Sequence, residues 1–102
     1  MASITVNGKT YPLRADVRAL MECKDETGLD IESVQESGTI GVCTFLFYFA
    51  RAAARHSGEG FSLDRSEFLQ GIELSDLNEA AESFSQATGT GETTGKKKRG
   101  NP

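Results

Sequence analysis

From Thr39 to Ser57 the chain carries apolar side chains on almost every side of a helix. Cys43, Leu46, Phe47, Ala50, Ala53 and Ala54 fall on one face, and Val42, Phe45, Phe49 and Ala52 on a second. Polar or amphipathic residues are confined to the narrow line Thr44, Tyr48, Arg51 and Arg55. Such a helix is either the enclosed centre of a domain or a helix that keeps one face for a partner. Both readings stay open for Val42, Phe45 and Phe49, which are core residues in the first and a groove for an amphipathic helix in the second. Replacing Phe45 with Asp separates them: unfolding indicates core, and retained folding with lost partner binding indicates a groove.

The segments before this helix have readable ends. Ile4-Thr5-Val6 and Lys9 to Leu13 flank Asn7-Gly8, a two-residue turn whose central residues both need positive φ, so the segment predicts a β-hairpin. Val6 then pairs with Lys9, Ile4 with Tyr11 and Ser3 with Pro12. Ile4, Val6, Tyr11 and Leu13 share the apolar face. Pro12 falls at a non-hydrogen-bonded pair, where its missing N–H breaks no bond within the hairpin. Two strands alone are marginal, so this face must lie on helices. The spacing predicts a first helix from Asp16 to Thr27, with Val17, Leu20, Met21 and the stem of Lys24 as one apolar stripe and Gly28-Leu29 as its stop. A short turn capped by Asp30 follows, with Ile31 and Val34 inward and Gly38 at its end.

Beyond the loop Ser57 to Gly60, Asp64 and Glu67 form a capping-box pair for a further helix, with Leu63, Phe68, Leu69 and Ile72 inward. A last helix starts at Ser75 or Asp76, with Leu77, Ala80, Ala81 and Phe84 as its apolar positions. Apolar residues then stop. The expected fold is therefore mainly α with a short N-terminal β-hairpin, four to five helices around the central one, in a single domain over 1–87. Residues 88–102 form a Gly/Thr/Lys tail with nothing to offset its ordering entropy.

Charge and chemistry narrow the function classes. The formal net charge is −4, and Lys96, Lys97, Lys98 and Arg99 contribute +4, so the rest of the chain carries −8. An acidic body argues against nucleic-acid binding, which draws on Lys and Arg. No charge-free apolar run reaches the roughly 18 residues of a membrane span, and the N-terminus lacks a signal peptide's basic start, so a cytosolic protein is expected. Cys23 and Cys43 match no zinc spacing and read as small buried apolar residues. The single His56 reads as a helix-end residue, with no nucleophile or orienting acid placed beside it by the sequence. The carboxylates Glu22, Asp25, Glu26, Asp30, Glu32 and Glu36 lack calcium-loop spacing and read mostly as a solvated face. The segment from Gly89 to Lys96 lacks the spacing of a phosphate loop. No catalytic site, cofactor or metal is expected.

The opening Ile-Thr-Val-Asn-Gly-Lys-Thr-Tyr-Pro-Leu, followed by Arg18-Ala19-Leu20 and Glu26-Thr27-Gly28-Leu29, resembles the tail assembly chaperones of long-tailed, siphovirus-like bacteriophages. Those proteins begin with an I-x-I-N-G-K-x-Y hairpin, continue with a helix ending near E-x-T-G and a helix rich in Phe, Tyr and Ala, and close with acidic helices. The resemblance spans roughly residues 3–87, with mild departures at Arg65 and Gln70 in the segment Ser62 to Gly71. It implies a non-enzymatic protein that binds the phage tape-measure protein, a very long helical chain, and keeps it soluble while tube subunits polymerise around it. It further implies action in the host bacterial cytoplasm and absence from the mature virion. A longer product of translational frameshifting, engaging the tail tube protein, is common in the family. Gly95 to Lys98 is suitably placed for such a slip, and the gene sequence tests it: no slippery heptamer under these codons removes the idea. A phage tail structural or connector protein, or another small interaction module, is the alternative. Self-association stays open, since a sheet edge and an over-apolar helix both permit it.

Overall fold

The computed structural model describes residues 2–89. From residue 90 on, the expected tail, with Gly95 to Lys98 and the Lys96 to Arg99 cluster, lies outside the described residues. Strands β1 (Ser3–Val6) and β2 (Lys9–Pro12) are followed by helices α1 (Val17–Thr27), α2 (Val34–Ser57), α3 (Arg65–Gln70) and α4 (Leu77–Thr88). Short 3-10 turns at Ile31–Ser33 and Leu74–Asp76 lead into α2 and α4. This is the mainly helical body with an N-terminal hairpin that the sequence predicts; its last helix runs one residue past the expected boundary at 87.

The hairpin has the expected register, Ser3 with Pro12, Ile4 with Tyr11 and Val6 with Lys9. Asn7 and Gly8 sit at φ 53° and 78°, the left-handed pair that the tight turn requires. The Leu13 N–H, one residue past Pro12, donates to the Ala2 carbonyl at 3.0 Å, so the proline interrupts no bond of this ladder. Ile4 and Val6 are fully buried. The outer edge of β1 is closed by α4: the Ser83 hydroxyl donates to the Ser3 carbonyl, and the Thr5 N–H donates to Glu79 Oε1 at 3.3 Å. An edge held this way offers no open row of backbone groups at Ser3 and Thr5 to another strand.

Ala81 therefore does not face inward, although it is one of the apolar positions of α4. It is exposed, and Ser83 is buried in its stead, because the strand's outward carbonyl needs a donor that alanine lacks. The hairpin turn is held from the other side by the end of α3, where the Asn7 N–H donates to the Gly71 carbonyl at 2.9 Å. A Cβ at Gly71 would lie 2.6 Å from Val6 Cγ1, so the close approach of α3 to the turn depends on glycine there. The expected capping box is present: Asp64 Oδ1 accepts from the Glu67 N–H at 2.8 Å, and Glu67 Oε1 accepts from the Asp64 N–H at 3.0 Å.

Helix α2 runs through the middle of the domain. Gly38, at φ 69° and ψ −155°, breaks the helical path where the sequence places the end of a short turn. A Cβ at Gly41 would collide with the Ser37 side chain, so the pair of glycines lets the chain re-enter the helix at once. Every residue from 43 to 50 is then buried. Helix α4 covers one side, with the Phe84 ring 6.0 Å from both Phe45 and Phe49. Helix α3 and the loop before it cover another, with Phe68 and Phe61 at 5.7 and 5.8 Å from Phe47. Each such ring pair adds about 0.5–1.5 kcal/mol beyond the area it buries. By length and composition the stretch Glu36–Ser57 could cross a membrane, with a mean hydropathy of 1.2, but 67% of its apolar window is buried inside the domain, the environment of a core helix.

Helix α1 closes the third side with most of its apolar stripe turned outward. Val17 and Met21 are 69% and 60% exposed, Leu20 is half-buried, and the residues turned inward are Ala19 and Cys23. Their small side chains let α1 lie close to α2 and bring its carboxylates over the polar line of that helix. Arg51 Nη2 donates to Glu22 Oε1 at 3.3 Å and to Glu26 Oε2 at 3.4 Å, and Arg55 Nη1 donates to Glu22 Oε1 at 3.4 Å. The buried Tyr48 hydroxyl donates to Glu26 Oε1 at 2.8 Å and accepts from Arg65 Nη1 at 2.9 Å, tying α1, α2 and α3 together. Rolling α1 to bury Val17 and Met21 would carry Glu22 and Glu26 away from these partners, leaving the Tyr48 hydroxyl buried without its acceptor. Glu22 and Glu26 are thus part of a seam between helices, whereas the sequence alone groups them with the solvated carboxylates.

The Tyr48 hydrogen bond, together with the Arg51 guanidinium, holds the Glu26 carboxyl below its ordinary pKa. A depressed carboxylate contributes stability in full above its unfolded value, about 4.3, and loses it as the pH falls through the folded value. Urea unfolding of the wild type and Glu26→Gln at neutral and acid pH tests the seam. The wild type should be the more stable at pH 7, with the gap closing below about pH 4. Parallel pH profiles would show that Glu26 contributes nothing through its charge.

Candidate partner-binding surfaces

The three residues that the sequence offers as a groove, Val42, Phe45 and Phe49, do lie on one side of α2, but that side is occupied. Phe45 and Phe49 are fully buried and Val42 is half-buried. Phe49 stacks on Phe84 with ring planes 17° apart, and Ala80 lies fully buried on the same face of α4. An amphipathic helix of the chain itself thus fills the position that a partner's helix would take, and the two phenylalanines are core residues in this conformation.

Exposed large apolar side chains among the described residues are Val17, Met21, Ile40 and Leu74. Val17 and Met21 belong to a continuous depression. One hollow of about 260 Å³ is lined by Val17, Leu20, Met21 and Ile31, with Lys24, Asp25 and Asp30 at its rim. A second, of about 300 Å³, shares Val17, Leu20 and Ile31 and extends past Ala15 and Asp16 to Ala87 and Thr88 at the end of α4. The two form one trough along the outer side of α1, apolar at its floor. Its carboxylates are partly neutralised, since Arg14 lies 3.4 Å from Asp16 and Lys24 lies 3.8 Å from Asp30.

The spacing of Val17, Leu20, Met21 and Lys24 marks one apolar stripe without saying which body it faces. The signal that separates the two faces is modest: Ala19 and Cys23, four residues apart, form a strip small enough for close helix contact. Both cysteines are free and buried, as expected, and burial raises their thiol pKa values and keeps them protonated. Cys23 Sγ lies 3.6 Å from Thr27 Oγ1, within the same helix. His56 is exposed near the end of α2. Among the described residues, no group of three or more His, Cys, Asp or Glu side chains is placed to hold a metal ion.

No protein-family model, curated protein or solved structure matches the chain.

With its ring enclosed by α4, Phe45→Asp is expected to abolish cooperative unfolding, because a buried carboxylate adds to the loss of about 3–5 kcal/mol typical of removing a core Phe. Circular dichroism and thermal melting check this. A folded Phe45→Asp variant would mean that α4 lifts off this face at little cost.

Proposed function

We propose that the protein is a non-enzymatic bacteriophage tail assembly chaperone that binds the tape-measure protein and keeps it soluble during tail tube assembly. The reading is carried by the order of its parts, a hairpin spelled Ile-Thr-Val-Asn-Gly-Lys-Thr-Tyr, a helix stopping at Glu-Thr-Gly and a Phe/Tyr/Ala-rich helix. It is supported by the succession of β1, β2, α1 and the long α2 in the fold. An acidic body suits the task, since self-repulsion keeps a complex with an aggregation-prone helical chain dispersed. The work consists of holding a chain until another protein replaces the holder, and it takes place in the host cytoplasm. A frameshifted longer form would bring in the tail tube protein.

Inspection of the adjacent genes for a tape-measure gene, followed by co-expression of its product with this chain, tests the reading. The tape-measure protein should move from the insoluble to the soluble fraction and co-purify with this chain, and mature particles should lack the chain. Unchanged insolubility, or retention of the chain in mature particles, would favour a tail structural or connector protein.

A further inference from the structure

We propose that the trough on the outer side of α1 is the docking site for an amphipathic helix whose apolar stripe is flanked by Lys or Arg. The proposal rests on the holding function above and names the surface that would perform it.

Val17, Leu20, Met21 and Lys24 recur at i, i+3, i+4 and i+7, the pattern of a helix face built to meet another helix, yet among the described residues no element covers Val17 or Met21. The trough floor is apolar, with Leu20 and Ile31 half-buried beneath the two exposed side chains. Its rim selects the sign of the partner. Asp16, Asp25 and Asp30 line it against Lys24 alone, and Asp25 has no ion-pair partner among the described residues. Glu22 and Glu26 are drawn to the α2 side by Arg51 and Arg55, and Arg14 and Lys24 offset Asp16 and Asp30, so Asp25 gives the rim its uncompensated negative charge. A helix with basic flanks meets this rim with opposite charge, which speeds encounter and sets orientation.

A second copy of the chain would bring the same carboxylates face to face, which disfavours it. The segment after Gly89 carries the basic cluster Lys96 to Arg99, but from Thr90 to Pro102 it has no aliphatic or aromatic residue apart from its final proline to fill the floor. The trough therefore fits a separate helical partner.

The test uses the full chain and a synthetic helical peptide of about 15 residues, with Leu at i, i+3, i+4 and i+7 and Lys on both flanks. A matching peptide with Glu flanks serves as the charge control. Val17→Asp and Met21→Asp leave the core untouched, and an acid at position 17 suits the positive end of α1, so both variants should melt as the wild type does. Fluorescence anisotropy should show the Lys-flanked peptide binding the wild type, with a loss of at least about tenfold in each variant and none in Ile40→Asp, whose exposed side chain lies elsewhere. Binding should weaken with salt. Equal binding by the variants, equal binding of the Glu-flanked peptide, or a wild-type dimer that Met21→Asp dissociates would each overturn the proposal. Solubilisation of the tape-measure protein by both wild type and Met21→Asp would overturn the trough and leave the holding function standing. Peptide binding at the trough without any solubilisation by the wild type would do the reverse.

Discussion

An α-helix that is apolar on most of its surface cannot stand in water, and the rest of this small domain is arranged to enclose it. Helix α2 offers Phe45 and Phe49 on one side, Phe47 on another and the line Tyr48, Arg51 and Arg55 on a third. Each side receives a cover suited to its chemistry. The ring of Phe84 lies on the first, those of Phe61 and Phe68 on the second, and the carboxylates of α1 on the third. The hairpin closes the remaining end through Ile4 and Val6. The enclosure follows from a scarcity of partners: about 90 residues bury only one modest core, so every short element must contribute a face.

The polar contacts decide how those covers sit. Hydrophobic burial is non-directional and would tolerate several rotations of α1 and α4. Tyr48, fully buried with a hydroxyl that needs an acceptor, and the outward carbonyl of Ser3, which needs a donor, remove that freedom. Glu26 answers the first and Ser83 the second. The consequence for α1 is an outward apolar stripe: satisfying Tyr48 and the arginines turns Val17 and Met21 to the solvent. A helix oriented by its charges in this way keeps a second, apolar side at the surface.

Much of this was legible in the chain. The hairpin register followed from Asn7-Gly8 and alternation, the start of α3 from the Asp64/Glu67 pair, and the break within α2 from Gly38. Local signals of that kind involve residues within a few positions of one another. What failed was long-range. The rotation of α1 depends on Arg51, Arg55 and Tyr48, more than twenty positions away, and the inward place of Ser83 depends on Ser3, eighty positions away. Periodicity marks an apolar stripe but not which body it faces, so the outward turn of Val17 and Met21 is not written in it. The two readings of Phe45 and Phe49 could be separated only by knowing where α4 packs.

Helix α4 is a lasting cover of Phe45 and Phe49, part of the core itself. Native-state hydrogen exchange measures this directly, residue by residue. Amides of α2 from 43 to 54 and of α4 from 80 to 84 should exchange only through global unfolding, with one shared opening free energy. If the α4 amides instead open at a markedly lower free energy while α2 stays protected, the helix lifts off by itself, and the account of α2 as a permanently enclosed core is contradicted.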